Sequence, residues 1–386
     1  MSFSQMISML RKQPVYTLRL IAKKNRFFRR YKWLQRNDGR DDKVPAPLVY
    51  ELTLTLKCNL RCKMCMLWGD VGWCGTSGGG KLEKELDMEI IKKILFAARG
   101  SHPSFILHGG EPMLHSHFRD IVRMLNDNRY DAIVCTNGTL IDKFSDLISE
   151  SPFLDLLVSL DGLEKENDSI RGEGVYKRVT TGIRALKSLR KPPHIGIQFT
   201  ILPQNVKIMY DFCKEMTGLN VDWILLNPCW FISEKQKKHY EEFMQEKFNI
   251  VPKTHLGYFF KYDIDPDEFA RQYRKIKSEK WPIQISCYLN NPAEDIYTYT
   301  RSPEIFTGNT FCYKQWLRMD VTPDGDVTPC IRYPDLIFGN LKNEDVISIW
   351  NSPAFVRFRK MVRNGPLPLC NKCNCLYLYD AKRKHL

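Results

Sequence analysis

Hydrophobic positions along this chain change period several times, and the changes mark its elements. "LVYELTL" (48–54) reads as a strand. Residues 86–99 read as a helix, with Met88, Ile91, Leu95 and Ala98 on one face. The alternation then repeats. "SFILH" (104–108) is strand-like and precedes a helical 114–128. "AIVCTNG" (132–138) is a strand and turn, followed by a helix over 140–149. "LDLLVSLDG" (154–162) is a strand, and "YKRVTTGIRALKSLR" (176–190) is a helix stopped by "KPP". "HIGIQFTI" (194–201) and "VDWILLNP" (221–228) are strands flanking a helix over 205–216. Six βα-type units of this length predict an α/β fold with a parallel sheet curled into a partial or full barrel. In such folds the chemistry lies at the C-terminal ends of the strands.

The pattern is less regular over 229–310, where two helices (234–247 and 266–279) and many aromatic residues are expected. From 311 onward "FCYKQWLRMDVTPDGDVTPC" carries a hairpin signal at Asp324-Gly325. A helical stretch, "NEDVISIWNSPAFVRFRKMV", follows, and then "LCNKCNC". The predicted organisation is an arm and linker (1–43), a barrel (44–232), a connecting region (233–310) and a small C-terminal unit (311–386). There is no internal repeat and no low-complexity tract.

Charge changes this picture at one end only. Residues 1–37 hold ten Lys or Arg and no acid, so they account for ten of the net fourteen positive charges. Their basic residues alternate with Leu18, Leu20, Ile21, Phe27, Phe28, Tyr31, Trp33 and Leu34, and Pro14 starts or breaks a helix among them. Three readings stand. Residues 1–36 form a basic amphipathic helix on an anionic membrane surface, hold an acidic partner, or form a helix that packs on the core and solvates its charged face. No apolar run approaches the roughly 18 residues that span a bilayer, and the N-terminus lacks the apolar stretch of a signal peptide. The expectation is a cytoplasmic chain, with peripheral contact at the inner membrane surface as the arm's alternative role.

In a reducing compartment, clustered thiols favour metal binding or catalysis over disulfides. The chain has 13 cysteines. Cys58, Cys62 and Cys65 have the spacing C-x3-C-x2-C on the loop after the first strand. Three thiolates on one loop suit a cubane iron–sulfur cluster with one iron left open. A structural zinc site wants four ligands, and Cys74 is the only nearby candidate for the fourth. Cys312, Cys330, Cys370 and Cys373 form a second set, with zinc again as the alternative.

The motif "KCNLRCKMC" after a strand closely resembles the radical S-adenosylmethionine (SAM) enzymes. "GGEP" (109–112), "TNG" (136–138), "SLDG" (159–162) and "IRG" (170–172) follow in the family's order. The resemblance covers about residues 48–228. It implies that Cys58, Cys62 and Cys65 bind a [4Fe–4S] cluster whose open iron takes the amino and carboxylate groups of SAM. It implies that Met64 packs near adenine and that Gly109, Gly110 and Glu111 receive the SAM amino group. Ser159 and Arg171 match positions that contact the SAM carboxylate, and Asp161 either joins them or only shapes its turn. The second cysteine set resembles the family's auxiliary-cluster domain, called SPASM or twitch. Since only Cys375 follows Cys373, one auxiliary [4Fe–4S] cluster is expected on Cys312, Cys330, Cys370 and Cys373. The implied fold is a partial (β/α)6 TIM-like barrel with a small hairpin-and-helix auxiliary domain.

The implied activity is reductive cleavage of SAM to a 5′-deoxyadenosyl radical, which takes a hydrogen atom from a substrate. A reductant such as flavodoxin or ferredoxin is implied as a partner. The basic arm makes a small-molecule, carbohydrate or lipid-linked substrate attractive, undergoing epimerisation, dehydrogenation or bond formation. Modification of a ribosomal peptide or protein side chain is the alternative. A metal-stabilised nucleic-acid-binding module is the alternative from another class, and the clustered SAM motifs argue against it.

Among the spare residues, Cys229 lies just past the sixth strand and is a candidate hydrogen-atom donor. Cys74, Cys135, Cys213, Cys287 and Cys375 read mainly as small core residues. His108 either faces the substrate or fills core. Trp223 and Trp230 read as packing. "GTSGGGKL" (75–82) nearly spells a phosphate loop, but Leu82 replaces the hydroxyl that would meet magnesium, and no strand leads directly into it.

Overall fold

The computed structural model describes residues 14–37, 41–76, 84–289, 292–306 and 311–373. Residues 1–13, most of the glycine-rich loop and Cys375 lie outside them.

Six strands form where the hydrophobic pattern places them: β1 (Val49–Thr55), β2 (Ser104–Gly109), β3 (Asp131–Thr136), β4 (Leu154–Ser159), β5 (His194–Ile201) and β6 (Trp223–Pro228). Each pairs in parallel with the next. Helices return the chain between them, chiefly over Met88–Ala97, Phe118–Asp127, Val175–Lys187 and Met209–Gly218. The strands β3, β4 and β6 alternate buried and half-buried positions. Successive strand side chains point to opposite faces. The buried set, with Ala132, Val134, Leu156, Val158, Ile224 and Leu226, belongs to the hydrophobic core shared with the helices. The half-buried set, with Ile133, Cys135, Leu157, Ser159, Leu225 and Asn227, lies on the other face, the lumen side of the partial barrel.

The sheet is longer than the six predicted strands. β7 (Gln284–Cys287) adds in parallel to β6. β8 (Arg318–Val321) adds in parallel to the other side of β1, and β9 (Asp326–Thr328) and β10 (Gly339–Asn340) follow it antiparallel. The result is one ten-stranded sheet ordered β10-β9-β8-β1-β2-β3-β4-β5-β6-β7. The hairpin expected at Asp324-Gly325 forms, with Gly325 at φ 84°, where an L side chain would be strained. The C-terminal unit is therefore joined to the barrel through β8–β1 pairing. Its core holds Trp350, Phe355 and Phe358 on helices Val346–Trp350 and Pro353–Arg363.

The N-terminal helix, Pro14–Arg36, closes the opposite end of the barrel. Arg19 donates to Asp131 Oδ1 at 2.5 Å and to the carbonyls of Pro152 and Phe153 at 2.6 and 3.1 Å. Arg26 reaches Asp131, and Arg30 donates to the carbonyls of Trp316 and Ala46. Tyr16 packs 3.7 Å from the His194 ring, which stacks on Trp223. The partners of Arg19, Arg26 and Tyr16 sit at the starts of β3 through β6, and those of Arg30 just before β1 and β8. Of the three sequence readings of the arm, the packed one describes Pro14–Arg36, since Arg19, Arg26 and Arg30 at helical spacing are spent on the barrel floor. No helix among the described residues is long and apolar enough to cross a membrane.

Candidate active site

The loop after β1 carries Cys58, Cys62 and Cys65 over the C-terminal mouth of the lumen. It is fastened by main-chain bonds. Lys63 N–H donates to Ile170 O at 3.1 Å, Gly69 N–H to Cys65 O at 2.7 Å, and Trp73 N–H to Met66 O at 3.1 Å. Trp68 Nε1–H caps the loop on Leu56 O at 2.8 Å, with Arg61 stacked on its ring.

Each sulfur meets a donor. Leu60 N–H points at Cys58 Sγ and Trp68 N–H at Cys65 Sγ, both at 3.4 Å. Asn137 Nδ2 lies 3.9 Å from Cys58 Sγ, and Arg171 Nη1 lies 3.7 Å from Cys62 Sγ. Donors aimed at sulfur stabilise thiolates. The thiols need that help, because burial pushes Cys58 up to about 11 and raises Cys62. Among the described residues no group of three or more His, Cys, Asp or Glu side chains is drawn together tightly enough to hold a single metal ion. A loop trio with sulfur-directed donors fits a multi-iron cluster, whose ligands are cysteine thiolates spread around a larger body.

The segment "GGE" runs beside the end of β1. Gly110 N–H donates to Thr55 O and Glu111 N–H to Lys57 O, at 2.9 and 2.7 Å. A Cβ on Gly109 would lie 2.2 Å from Thr55 O, and one on Gly110 would lie 2.3 Å from Lys57 O. Only glycine permits this backbone approach. Glu111 is fully buried and turned away. It accepts from Asn137 N–H at 2.8 Å, Thr136 Oγ1 at 2.8 Å and Met113 N–H at 3.1 Å. Burial pushes its carboxyl up to about 7, against the pull of those donors. Glu111 thus ties β2 to the "TNG" turn.

Ser159 ends β4, half-buried on the lumen side. Asp161 is fully buried two residues later. It accepts from Thr200 N–H at 2.6 Å and pairs with Arg171 Nη2 at 2.6 Å. Arg171 ends a helix, Glu164–Arg171, that the hydrophobic pattern did not show. Burial opposes its charge, but Asp161 and then Cys62 outweigh it and hold the guanidinium protonated. Met64 is half-buried against the core. Cys229 is buried, its Sγ 3.9 Å from Trp230 O, and burial pushes its thiol up to about 12. Sequence reasoning quoted "TNG" but missed Asn137 as the residue joining Asn59 Oδ1, at 2.9 Å, to the Cys58 sulfur.

The second set also assembles. Cys312, Cys330, Cys370 and Cys373 line one small pocket with Arg332 and Tyr333. Arg332 N–H points at Cys330 Sγ at 3.4 Å, and burial raises the Cys370 thiol. The two thiol sets are bridged by a packed chain. Tyr258 Oη meets Met66 Sδ at 2.5 Å, its ring packs edge-on to Trp230 at 4.0 Å, and Arg332 covers Trp230 at 4.0 Å.

Residues 52–216 match the profile of the radical SAM superfamily, and residues 312–374 match that of an iron–sulfur cluster-binding domain, SPASM. The chain carries a radical SAM domain and a SPASM domain. It is 24% identical over 345 residues to pre-heme d1 synthase of Dinoroseobacter shibae, covering 86% of this chain and 79% of that protein. It is 22% identical over 350 residues to the antilisterial bacteriocin subtilosin biosynthesis protein AlbA of Bacillus subtilis, covering 87% and 68%. Its fold resembles Streptococcus suis SuiB bound to SAM, with a TM-score of 0.63 at 15% identity over 96% of this chain and 83% of that one. SuiB bound to its precursor peptide SuiA gives 0.59 at 15% identity, over 94% and 76%. As a radical SAM protein with a SPASM domain, the chain is an enzyme whose cofactors are SAM, a [4Fe–4S] cluster and auxiliary iron–sulfur binding. The partial TIM-like barrel expected from the resemblance is the fold observed.

Proposed function

We propose that this enzyme removes a hydrogen atom from a peptide or protein side chain held in the lumen. The observation that carries the reading is the placement of three donor-supplied thiols over the mouth of a lumen lined by half-buried side chains. The first two links of the assignment are residue roles. Cys58, Cys62 and Cys65 hold the SAM-binding cluster, and Cys312, Cys330, Cys370 and Cys373 hold one auxiliary cluster. When bound, cluster and SAM supply a 5′-deoxyadenosyl radical that abstracts hydrogen.

The chain's own side chains orient and exclude. Gly109 and Gly110 present bare backbone to the SAM amino group, a contact that Glu111 supports from behind with both oxygens committed elsewhere. Arg171, braced by Asp161, and Ser159 serve the SAM carboxylate, and Met64 packs on adenine. Cys229 is kept as S–H by burial, the form a hydrogen-atom donor must have.

The peptide reading draws support from the likeness to AlbA and to SuiB, which has been solved with a precursor peptide. The carbohydrate or lipid-linked reading drew on the basic arm, and Arg19, Arg26 and Arg30 are engaged on the barrel floor instead.

The test uses size-fractionated anaerobic extract of the native host. Reconstituted enzyme, SAM and dithionite are given each fraction, and 5′-deoxyadenosine is quantified. Stimulation by a protease-sensitive fraction is expected. Stimulation confined to a protease-resistant small-molecule fraction would overturn the peptide assignment.

A further inference from the structure

A polar cluster on the lumen face of β1, β2 and β8 is used by none of the roles above. Thr53 on β1 and His108 on β2 are register partners. His108 Nε2 lies 3.2 Å from Thr53 Oγ1 and 3.4 Å from Glu51 Oε1. The other Glu51 oxygen pairs with Arg318 on β8. Arg318 Nε lies 3.0 Å from Asp320 Oδ1, and Asp320 Oδ2 lies 2.8 Å from Lys314 Nζ. Glu51, Arg318, Asp320 and Lys314 are buried, with two charges of each sign. The cluster is therefore balanced without a charge on His108.

His108 opens to the lumen with its side chain 24% exposed, and Thr53 beside it is half-buried. It immediately precedes Gly109, at the strand end beneath the cysteine loop. A carboxylate only accepts hydrogen bonds, so the tautomer that suits Glu51, and that the Thr53 hydroxyl can accept from, carries the ring hydrogen on Nε2 and the lone pair on Nδ1. This is the arrangement of a base whose second nitrogen is steered by an orienting carboxylate.

We propose that His108 accepts a proton through Nδ1 from a substrate in the lumen, oriented by Glu51 and Thr53, and that the substrate carries an O–H, N–H or S–H beside the attacked carbon. The inference rests on the lumen reading given under Proposed function. In this step the X–H bond breaks and its electron pair stays on X. The proton forms the N–H bond at Nδ1, and the imidazolium faces X⁻ and Glu51. No electron is exchanged. A substrate with only C–H bonds at this point would leave His108 nothing to accept.

The test is carbethoxylation of the anaerobically reconstituted protein with diethyl pyrocarbonate, mapped by mass spectrometry across pH. Of the two forms of an imidazole the reagent attacks the neutral one, and mapping separates histidine adducts from those on thiols, amines and phenols. His108 is expected to react, SAM is expected to protect it several-fold, and exposed His117 serves as the unprotected control. An unreactive His108 beside a reactive His117, or no protection by SAM, would overturn the proposal. His108→Gln, which keeps a polar side chain without a basic nitrogen, should lose the turnover stimulated by host extract, and its retention would also overturn the proposal. Cleavage of SAM by the same wild-type preparation is read separately. Its failure would count against the radical assignment, whereas an unmodified or unprotected His108 counts only against the base.

Discussion

Arg171 divides its guanidinium between two partners: Nη2 lies 2.6 Å from Asp161 Oδ2, and Nη1 lies 3.7 Å from the Cys62 sulfur. The strand end after β4 is thereby coupled to the cysteine loop, which also bonds to Ile170 O through Lys63 N–H. Arg171→Met should leave Asp161 buried without its cation and cost about 3 kcal/mol or more. Adding Asp161→Asn should recover much of that loss. Urea unfolding under anaerobic conditions measures both, and iron content after reconstitution should fall with the single substitution.

The glycines of "GGE" are fixed by contact rather than by a ligand alone. Gly109→Ala and Gly110→Ala each place a Cβ against a carbonyl at under 2.5 Å. Strand β2 must then separate from the end of β1, and both variants should lose stability and cluster iron. Gly218→Ala, where nothing lies within 4 Å of the added carbon, is the matched control and should keep both.

The barrel floor should be acid-sensitive. His194 stacks between Tyr16 and Trp223, and burial pushes it down to about 4, against the pull of Asp222. The unfolded chain takes up this proton near pH 6.5, the folded one only near pH 4. Stability from the neutral ring is therefore full above 6.5 and lost as pH falls toward 4, by about 3 kcal/mol in total. His194→Phe keeps a ring in the stack and removes the titration. Urea midpoints at pH 7 and pH 4.5 should differ less in that variant than in the parent.

The auxiliary set should be separable from the first. Cys370→Ala removes one of four thiols lining its pocket. Iron per chain should drop by about four atoms, the content of one cubane, while SAM cleavage at the other site continues. Iron analysis beside 5′-deoxyadenosine formation checks this.

The six barrel strands and their main helices were legible because their residues repeat at strand or helix period over local windows. The helix Glu164–Arg171 was not. "EKENDSIR" has no apolar stripe, and its anchors are polar: Asn167 accepts from Asp161 N–H, and Asp168 accepts from Gly174 and Tyr176 N–H. β7 was missed, and so was the pairing of β8, the first strand of the expected hairpin, with β1, since each is four residues long and meets a partner distant in sequence. The arm's role was ambiguous for the same reason, because Arg19 meets Asp131 only once the barrel has formed. At the site, the cysteines and motifs were visible as spacing. That Glu111 braces the turn, that Asn137 reaches a sulfur, and that His108 joins Glu51 depend on strand register, which spacing alone does not reveal.

The most direct measurement is anaerobic. The protein is reconstituted with iron and sulfide, given SAM and dithionite, and 5′-deoxyadenosine is quantified beside Cys62→Ala. Formation by wild type and not by the variant is the predicted result. Equal formation by both, or none from wild type that holds its iron, would contradict the assignment of Cys58, Cys62 and Cys65.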